Sequence, residues 1–162
     1  MLVVDTSAFI SLAVGGAIEE TVDEFHVITT RSVMRELEQT ADYDDRHGSG
    51  AADVAARRAS FEVVDANGER FVTSRIDAGE ASCVAAAREL DADFCVTDDY
   101  RALPEIEALV TAPVVVSPIV LRALVKRERL TEEDARAIFE RIAEGRDWLG
   151  APIHRYASHL FE

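Results

Sequence analysis

The sequence predicts an α/β protein, a three-layer α/β/α sandwich around a mainly parallel central sheet. Two observations carry this reading. Short apolar runs recur along the chain at Leu2–Val4, Phe25–Thr29, Phe61–Val64, Phe94–Thr97 and Val114–Val116, and they are too apolar to face water. Between them lie segments with helical spacing or helix punctuation, so strands alternate with helices. With 162 residues, 48% of them hydrophobic, the chain can bury a sizeable core. No repeat or composition break divides it, so residues 1–162 are expected to form a single domain, with 145–162 as a C-terminal tail of undefined role.

Each element follows from local chemistry. Asp5-Thr6-Ser7 leads from the first strand into a helix over Ala8–Val14, stopped by Gly15-Gly16. After the second strand, Arg31–Gln39 reads as a helix with Val33, Met34 and Leu37 inward. The polar, glycine-containing Asp42–Gly50 reads as a loop, and the alanine-rich Ala51–Ser60 as a helix. Asp65–Arg75 reads as a loop with one extended piece at Arg70–Thr73. Asp77-Ala-Gly-Glu80 opens a helix to Leu90, with Val84, Ala87 and Leu90 on one side. Pro104 is expected to interrupt the helix after Asp98-Asp99. Ser117-Pro118 reads as an N-cap followed by proline at the first helical position, starting a helix to about Arg127. Thr131–Asp134 caps another helix through Glu144, stopped by Gly145, and the tail carries one more short helix.

Composition bounds the function classes. Thirty-one acids face 17 bases, a net charge of −14, and Lys126 is the only lysine beside 16 arginines. An acidic, lysine-poor composition resembles that of proteins adapted to molar salt, as in halophilic archaea. There the Debye length is about 3 Å, so charge acts only at contact range and net negativity does not exclude a nucleic-acid partner. Two cysteines, Cys83 and Cys95, stand in apolar segments as expected core thiols, and suit a reducing, cytoplasmic setting better than a disulfide framework. No apolar run approaches the roughly 20 residues of a membrane span, so no membrane association is expected. The acid at position 5 argues against a signal peptide.

Function in an open α/β sheet gathers at the carboxyl ends of the strands, which sorts the many acids. Asp5 directly follows Leu-Val-Val, and Asp98 and Asp99 directly follow Phe-Cys-Val-Thr. Burying carboxylates there is costly unless something compensates, and Mg²⁺ or Mn²⁺ compensates with a preference for oxygen ligands. Glu80 in the first turn of one helix and Glu36 in another could join them. Four acids from separate segments suit metal-assisted phosphodiester cleavage. Singly, each has a plainer role: Asp5 as helix cap, Glu36 as a solvated residue, Glu80 as capping-box partner of Asp77, and one of Asp98-Asp99 as a turn residue. Their conjunction carries the metal reading. The four histidines lack zinc spacing, no G-x-S-x-G elbow occurs, and Gly48-Ser-Gly50 lacks the context of a P-loop.

These residues resemble a known family. LVVDTSAFISL is similar to the first strand, ligand aspartate and hydroxyl residue of the PIN-domain ribonucleases, SVMRELEQ to the helix bearing their second acid, and DAGEASCVAAARELDADFCVTDDYRAL to their third and fourth acids. VVVSPIVLRALVKRERLT resembles the segment after the last core strand in one VapC-like toxin subgroup. The resemblance spans most of residues 2–131. It implies a Mg²⁺- or Mn²⁺-dependent endoribonuclease, often a homodimer and often held by an antitoxin. Asp5, Glu36, Glu80 and Asp98 or Asp99 would then be catalytic and metal-ligating. The family's T-x-D spacing points to Asp99, and position directly after the strand to Asp98. Thr6 or Ser7 would hold a metal-bound water, and Arg31, Arg35 and Arg101 near the rim would contact RNA phosphates. The apolar residues of 116–125 offer a dimer face. A non-catalytic PIN-like module binding RNA or protein is the main alternative. A receiver-type phosphoacceptor ranks below it, because the acid pair comes late and Lys126 falls within a helix.

Overall fold

The computed structural model describes residues 1–162 and contains five strands, β1 (Leu2–Val4), β2 (Val27–Thr30), β3 (Glu62–Val64), β4 (Phe94–Val96) and β5 (Val114–Val115). They form one parallel sheet in the order β3-β2-β1-β4-β5. Nine helices accompany it: α1 (Thr6–Gly15), α2 (Ile18–Glu24), α3 (Arg31–Thr40), α4 (Arg46–Ala56), α5 (Ala78–Glu89), α6 (Leu103–Leu109), α7 (Ser117–Lys126), α8 (Glu132–Gly145) and α9 (Pro152–Ser158). The expected α/β/α architecture is present. β1 is central, with Val3 and Val4 fully buried, which explains its unbroken apolar run.

The strand order fixes where a site can form. The chain builds outward from β1 through β2 to β3, then returns to place β4 on the other side of β1. The crevice at the carboxyl ends of β1 and β4 is therefore the topological switch point of the sheet. Asp5 follows β1 there, and Thr97-Asp98-Asp99 follows β4.

Several local expectations are corrected. Asp42–Gly50 is not wholly loop: Asp45 caps Gly48 N–H at 2.7 Å and α4 begins at Arg46. Glycine is required at 48, because a Cβ would lie 1.9 Å from the Tyr43 carbonyl oxygen. Helix α2 fills the interval before β2, burying Ile18 and Val22. Instead of an extended piece at 70–73, Glu69–Phe71 forms a 3₁₀ turn. Pro104 does not break a helix but lies in the first turn of α6, where its missing N–H is tolerated. Ser117 is not the cap of α7. Val116 holds the cap position with no side-chain cap of its own, and Ser117 is the first helical residue.

The tail joins the main core through Trp148, Ile153, Ala157 and Phe161. So does the apolar side of α7, through Val120, Leu121 and Leu124. The apolar character of residues 116–125 is thus largely used internally. Cys83 and Cys95 are buried free thiols. No helix is long and apolar enough to cross a membrane.

Candidate active site

Asp5 reaches the crevice because β1 ends beneath it and α1 starts beyond it. Its Oδ1 accepts the Ala8 N–H at 3.0 Å and the Ser7 hydroxyl at 2.8 Å, and its Oδ2 accepts the Thr97 hydroxyl at 2.6 Å. It is both the helix cap and a buried acid, 3% exposed. Burial pushes its carboxyl up to about 7, against the opposing effect of the bonds from Thr97, Ala8 and Ser7.

Glu80 opens α5 in a reciprocal capping box: its backbone N–H donates to Asp77 Oδ1 at 2.8 Å, and its Oε2 accepts the Asp77 N–H at 3.0 Å. The capping role expected for Glu80 is real, and a second role is added to it. Glu80 is buried, and its carboxyl lies within hydrogen-bonding reach of Asp99. Burial first, then Asp99, raises its pKa well above the ordinary carboxylate range. Asp5 is close enough to contribute repulsion.

Asp98 and Asp99 separate cleanly. The Asp98 carboxylate turns to the start of α7, taking the backbone N–H and the hydroxyl of Ser117, each at 2.7 Å. Asp99 stands on the Glu80 side, and its Oδ1 also accepts the N–H groups of Arg101 and Ala102, each at 3.1 Å. A hollow of about 220 Å³ opens over this side, lined by Asp77, Glu80, Asp99 and Arg101 among others.

Glu36 approaches from α3. Its Oε2 accepts the Thr6 hydroxyl, and the carboxylate meets the N–H of Gly79 in the first turn of α5. A Cβ at position 79 would stand 2.3 Å from Glu36 Oε1, so only glycine admits this approach. Burial raises the Glu36 pKa, with the Thr6 bond opposing.

Asp5, Glu80 and Asp99 thus border one crevice, Glu36 meets the α5 N-terminus at Gly79, and Asp98 is turned to Ser117. Thr6 and Ser7 donate their hydroxyl protons to carboxylates. Their hydroxyls orient Glu36 and Asp5, and Ser7 Oγ also accepts the Asp98 N–H at 2.9 Å. Of the three arginines expected at the rim, Arg101 lines the acidic hollow, whereas Arg31 and Arg35 face a second one on the α4 side of α3. Sequence reasoning missed Thr97 and Ser117, which hold the aspartates. It also missed Arg146, a half-buried guanidinium whose Nε has no hydrogen-bond partner. Burial lowers its pKa, and attraction to Asp98 and Asp5 opposes this. Thr97 at the strand end and Ser117 at the helix start were visible as signals, but not as partners of the aspartates.

No three acid, histidine or cysteine side chains converge as a formed cation site, so the expected four-acid ligand set is not preassembled. The donor chemistry nevertheless fits a hard divalent cation. Asp5, Glu36, Glu80 and Asp99 offer only carboxylate oxygens, burial disfavours the charge on the first three, and none forms an ion pair with a base. Without a cation, Glu80 lies against Asp99 with its pKa raised, and Asp5 is satisfied by its own neighbours.

A family model described as a PIN domain matches residues 1–160. No curated protein matches the chain.

Proposed function

The chain belongs to the PIN-domain family, and from that premise we propose that it is a divalent-metal-dependent endoribonuclease. PIN domains are nucleases as a class, generally act on RNA and typically use divalent metals. The observation that carries the reading in this chain is the crevice at the β1/β4 switch point. There Asp5, Glu80 and Asp99 border one crevice and none of them is ion-paired, with Arg101 and Arg146 as the bases nearby.

Asp5, Glu80 and Asp99 would hold Mg²⁺ or Mn²⁺, with Glu36 completing the acidic site from across the α5 N-terminus. The cation, when bound, supplies charge stabilisation to the phosphodiester and acidifies water. The chain's own residues prepare that site. Thr97 and Ser7 fix the Asp5 carboxylate by bonds of 2.6 and 2.8 Å, so its oxygens need no search for orientation. Thr6 and the Gly79 N–H do the same for Glu36. Burial keeps a proton favoured on Glu80, beside Asp99, in the metal-free protein. Arg101, on the wall of the same hollow, is placed to meet a phosphate oxygen of the substrate. An unpaired or looped RNA presents its backbone and bases to such a crevice more readily than a duplex does.

In the VapC-like reading the enzyme is a cytoplasmic toxin restrained by an antitoxin, and a homodimer. Support for that reading comes from the motifs after β4 and around α7, and co-purification with the product of an adjacent gene would test it. The nuclease itself is tested by cleavage of a structured RNA with Mn²⁺ in molar KCl, comparing parent, Asp5→Asn and EDTA-treated protein. Cutting that needs the metal and is lost in Asp5→Asn is the expected result. RNA binding without cutting, across several RNAs, would instead favour a non-catalytic binding module.

A further inference from the structure

Twelve of the sixteen arginines have a carboxylate, a carbonyl or an aromatic ring as partner. The four without one are Arg31, Arg35, Arg101 and Arg146. In a chain with 31 acids, an arginine with no carboxylate, carbonyl or ring as partner is a departure that needs a cause. Arg101 and Arg146 adjoin the acidic crevice itself. Arg31 and Arg35 do not: they line a separate hollow of about 340 Å³ between α3, α4 and β3.

Arg58 lines the same hollow, held only by a long 3.4 Å bond to the Phe61 carbonyl. Three exposed guanidinium groups therefore surround one depression, with Glu38 as its single acid. Met34, Ala55 and Val63 supply apolar lining beneath them. Like charges in this arrangement repel one another, and an anion with several oxygens relieves the repulsion. The planar guanidinium fork fits a phosphodiester well. The hollow is also connected to the catalytic crevice by one helix, because Arg35 and Glu36 are consecutive residues of α3, about 100° apart around it, and one lines the hollow while the other meets α5.

We propose that the Arg31–Arg35–Arg58 hollow binds backbone phosphates of the RNA strand beyond the cleavage point. This rests on the nuclease reading above. A helix with its side chains is about 10–12 Å across, and a stacked strand advances ~3.4 Å per nucleotide. The hollow thus receives the strand roughly three nucleotides from the bond being cut. A substrate too short to cross α3 gains nothing from it. The enzyme accordingly grips a run of several unpaired nucleotides, not one phosphodiester alone.

The test separates gripping from cutting. Binding of fluorescein-labelled single-stranded RNA is measured by polarisation in EDTA, over a range of KCl. One probe has about three nucleotides and the other about four times as many. The variant carries Arg31→Gln, Arg35→Gln and Arg58→Gln together. A control variant carries Arg122→Gln, Arg127→Gln and Arg129→Gln, three ion-paired arginines of α7 and the turn after it. The expected result is a ~10–100-fold loss on the long probe only. The slope of log affinity against log salt should fall by about 2, since each phosphate contact contributes ~0.7. The control should bind as the parent does, and all proteins should melt alike. Unchanged binding of the long probe by the hollow variant, equal loss on both probes, or equal loss in the control would each overturn the proposal. None of these readings depends on cleavage, so failure of the nuclease assay leaves them interpretable.

Discussion

Asp98 caps a helix to which it does not belong: its two carboxylate oxygens take the backbone N–H and the hydroxyl of Ser117, 19 residues onward, each at 2.7 Å. The neighbouring Asp99 faces the other way, toward Glu80. Two adjacent aspartates are thereby divided between holding the fold and forming the crevice. Asp98→Ala should cost about 1–3 kcal/mol, the value of a lost cap with buried donors left unpaired. Asp99→Asn keeps an oxygen for the Arg101 and Ala102 N–H groups, so it should melt like the parent and lose cleavage by at least ~10–100-fold. Thermal melts and RNA cleavage of both variants check this. A parent-like rate in Asp99→Asn, beside an inactive but stable Asp98→Asn, would reverse the assignment.

Asp5 gives the metal-free protein a pH dependence of definite sign. Its folded carboxyl is raised from 3.8 to about 7, so between those values the native state holds a proton that the unfolded chain releases. Stability from this group is complete below about pH 4 and is lost as pH rises through about 7. The loss is on the order of 4 kcal/mol at most. Asp5→Asn has no proton to lose; its Oδ1 can keep the bonds from Ala8 and Ser7, and its amide can donate to the Thr97 hydroxyl, which turns to accept. In EDTA the variant should become progressively more stable than the parent from pH 4 to 7, read as a widening difference in Tm. A difference that stays flat over that range would show that Asp5 titrates normally.

Metal binding should reverse that trend and expel protons. Glu80 is raised by burial and by Asp99, so a cation seated there must displace hydrogen ions. Mg²⁺ or Mn²⁺ at about 100 times its Kd should stabilise the protein by ~2.7 kcal/mol. The affinity should rise with pH. Calorimetric titration with Mn²⁺ in two buffers of different ionisation enthalpy measures the protons released. Heats that do not depend on the buffer would mean that the Glu80–Asp99 pair does not take part.

What the sequence made legible was local. The capping boxes Asp77/Glu80 and Thr131/Asp134 lie within four consecutive residues and predict the starts of α5 and α8 directly. The apolar run of β1 reports its burial in the same way. What stayed hidden depends on neighbours distant in the chain. Gly48 and Gly50 argue locally against a helix, yet α4 forms. Gly48 fits against the Tyr43 carbonyl, and Gly50 packs closely on Val14 of α1. Ser117 has the sequence of a cap, but the capping oxygens come from Asp98, just past the neighbouring strand β4. The choice between Asp98 and Asp99 was open for the same reason, since side-chain direction at a strand end is set by what each one meets. Arg146 carries no local pattern at all, and only the packing of α8 brings it near Asp98 and Asp5.

Gly79 tests whether the placement of Glu36 matters. In an ordinary helix position, glycine to alanine stabilises by about 1 kcal/mol. Here the new Cβ would lie 2.3 Å from Glu36 Oε1 and 2.5 Å from Oε2, closer than any real contact. The carboxylate must swing away, giving up the Gly79 N–H and the Thr6 hydroxyl. Gly79→Ala should therefore show little or no gain in stability and a loss of cleavage comparable to that of Glu36→Ala. The double variant separates the two effects. With Glu36→Ala already in place nothing obstructs the methyl group, so adding Gly79→Ala should recover the helix-propensity gain of about 1 kcal/mol. It should lower cleavage no further. Denaturant melts and rates for the four proteins of this cycle give both answers. If Gly79→Ala alone were stabilising and fully active, the Glu36 carboxylate would not need its seat at the α5 N-terminus, and its place in the acidic site would fall.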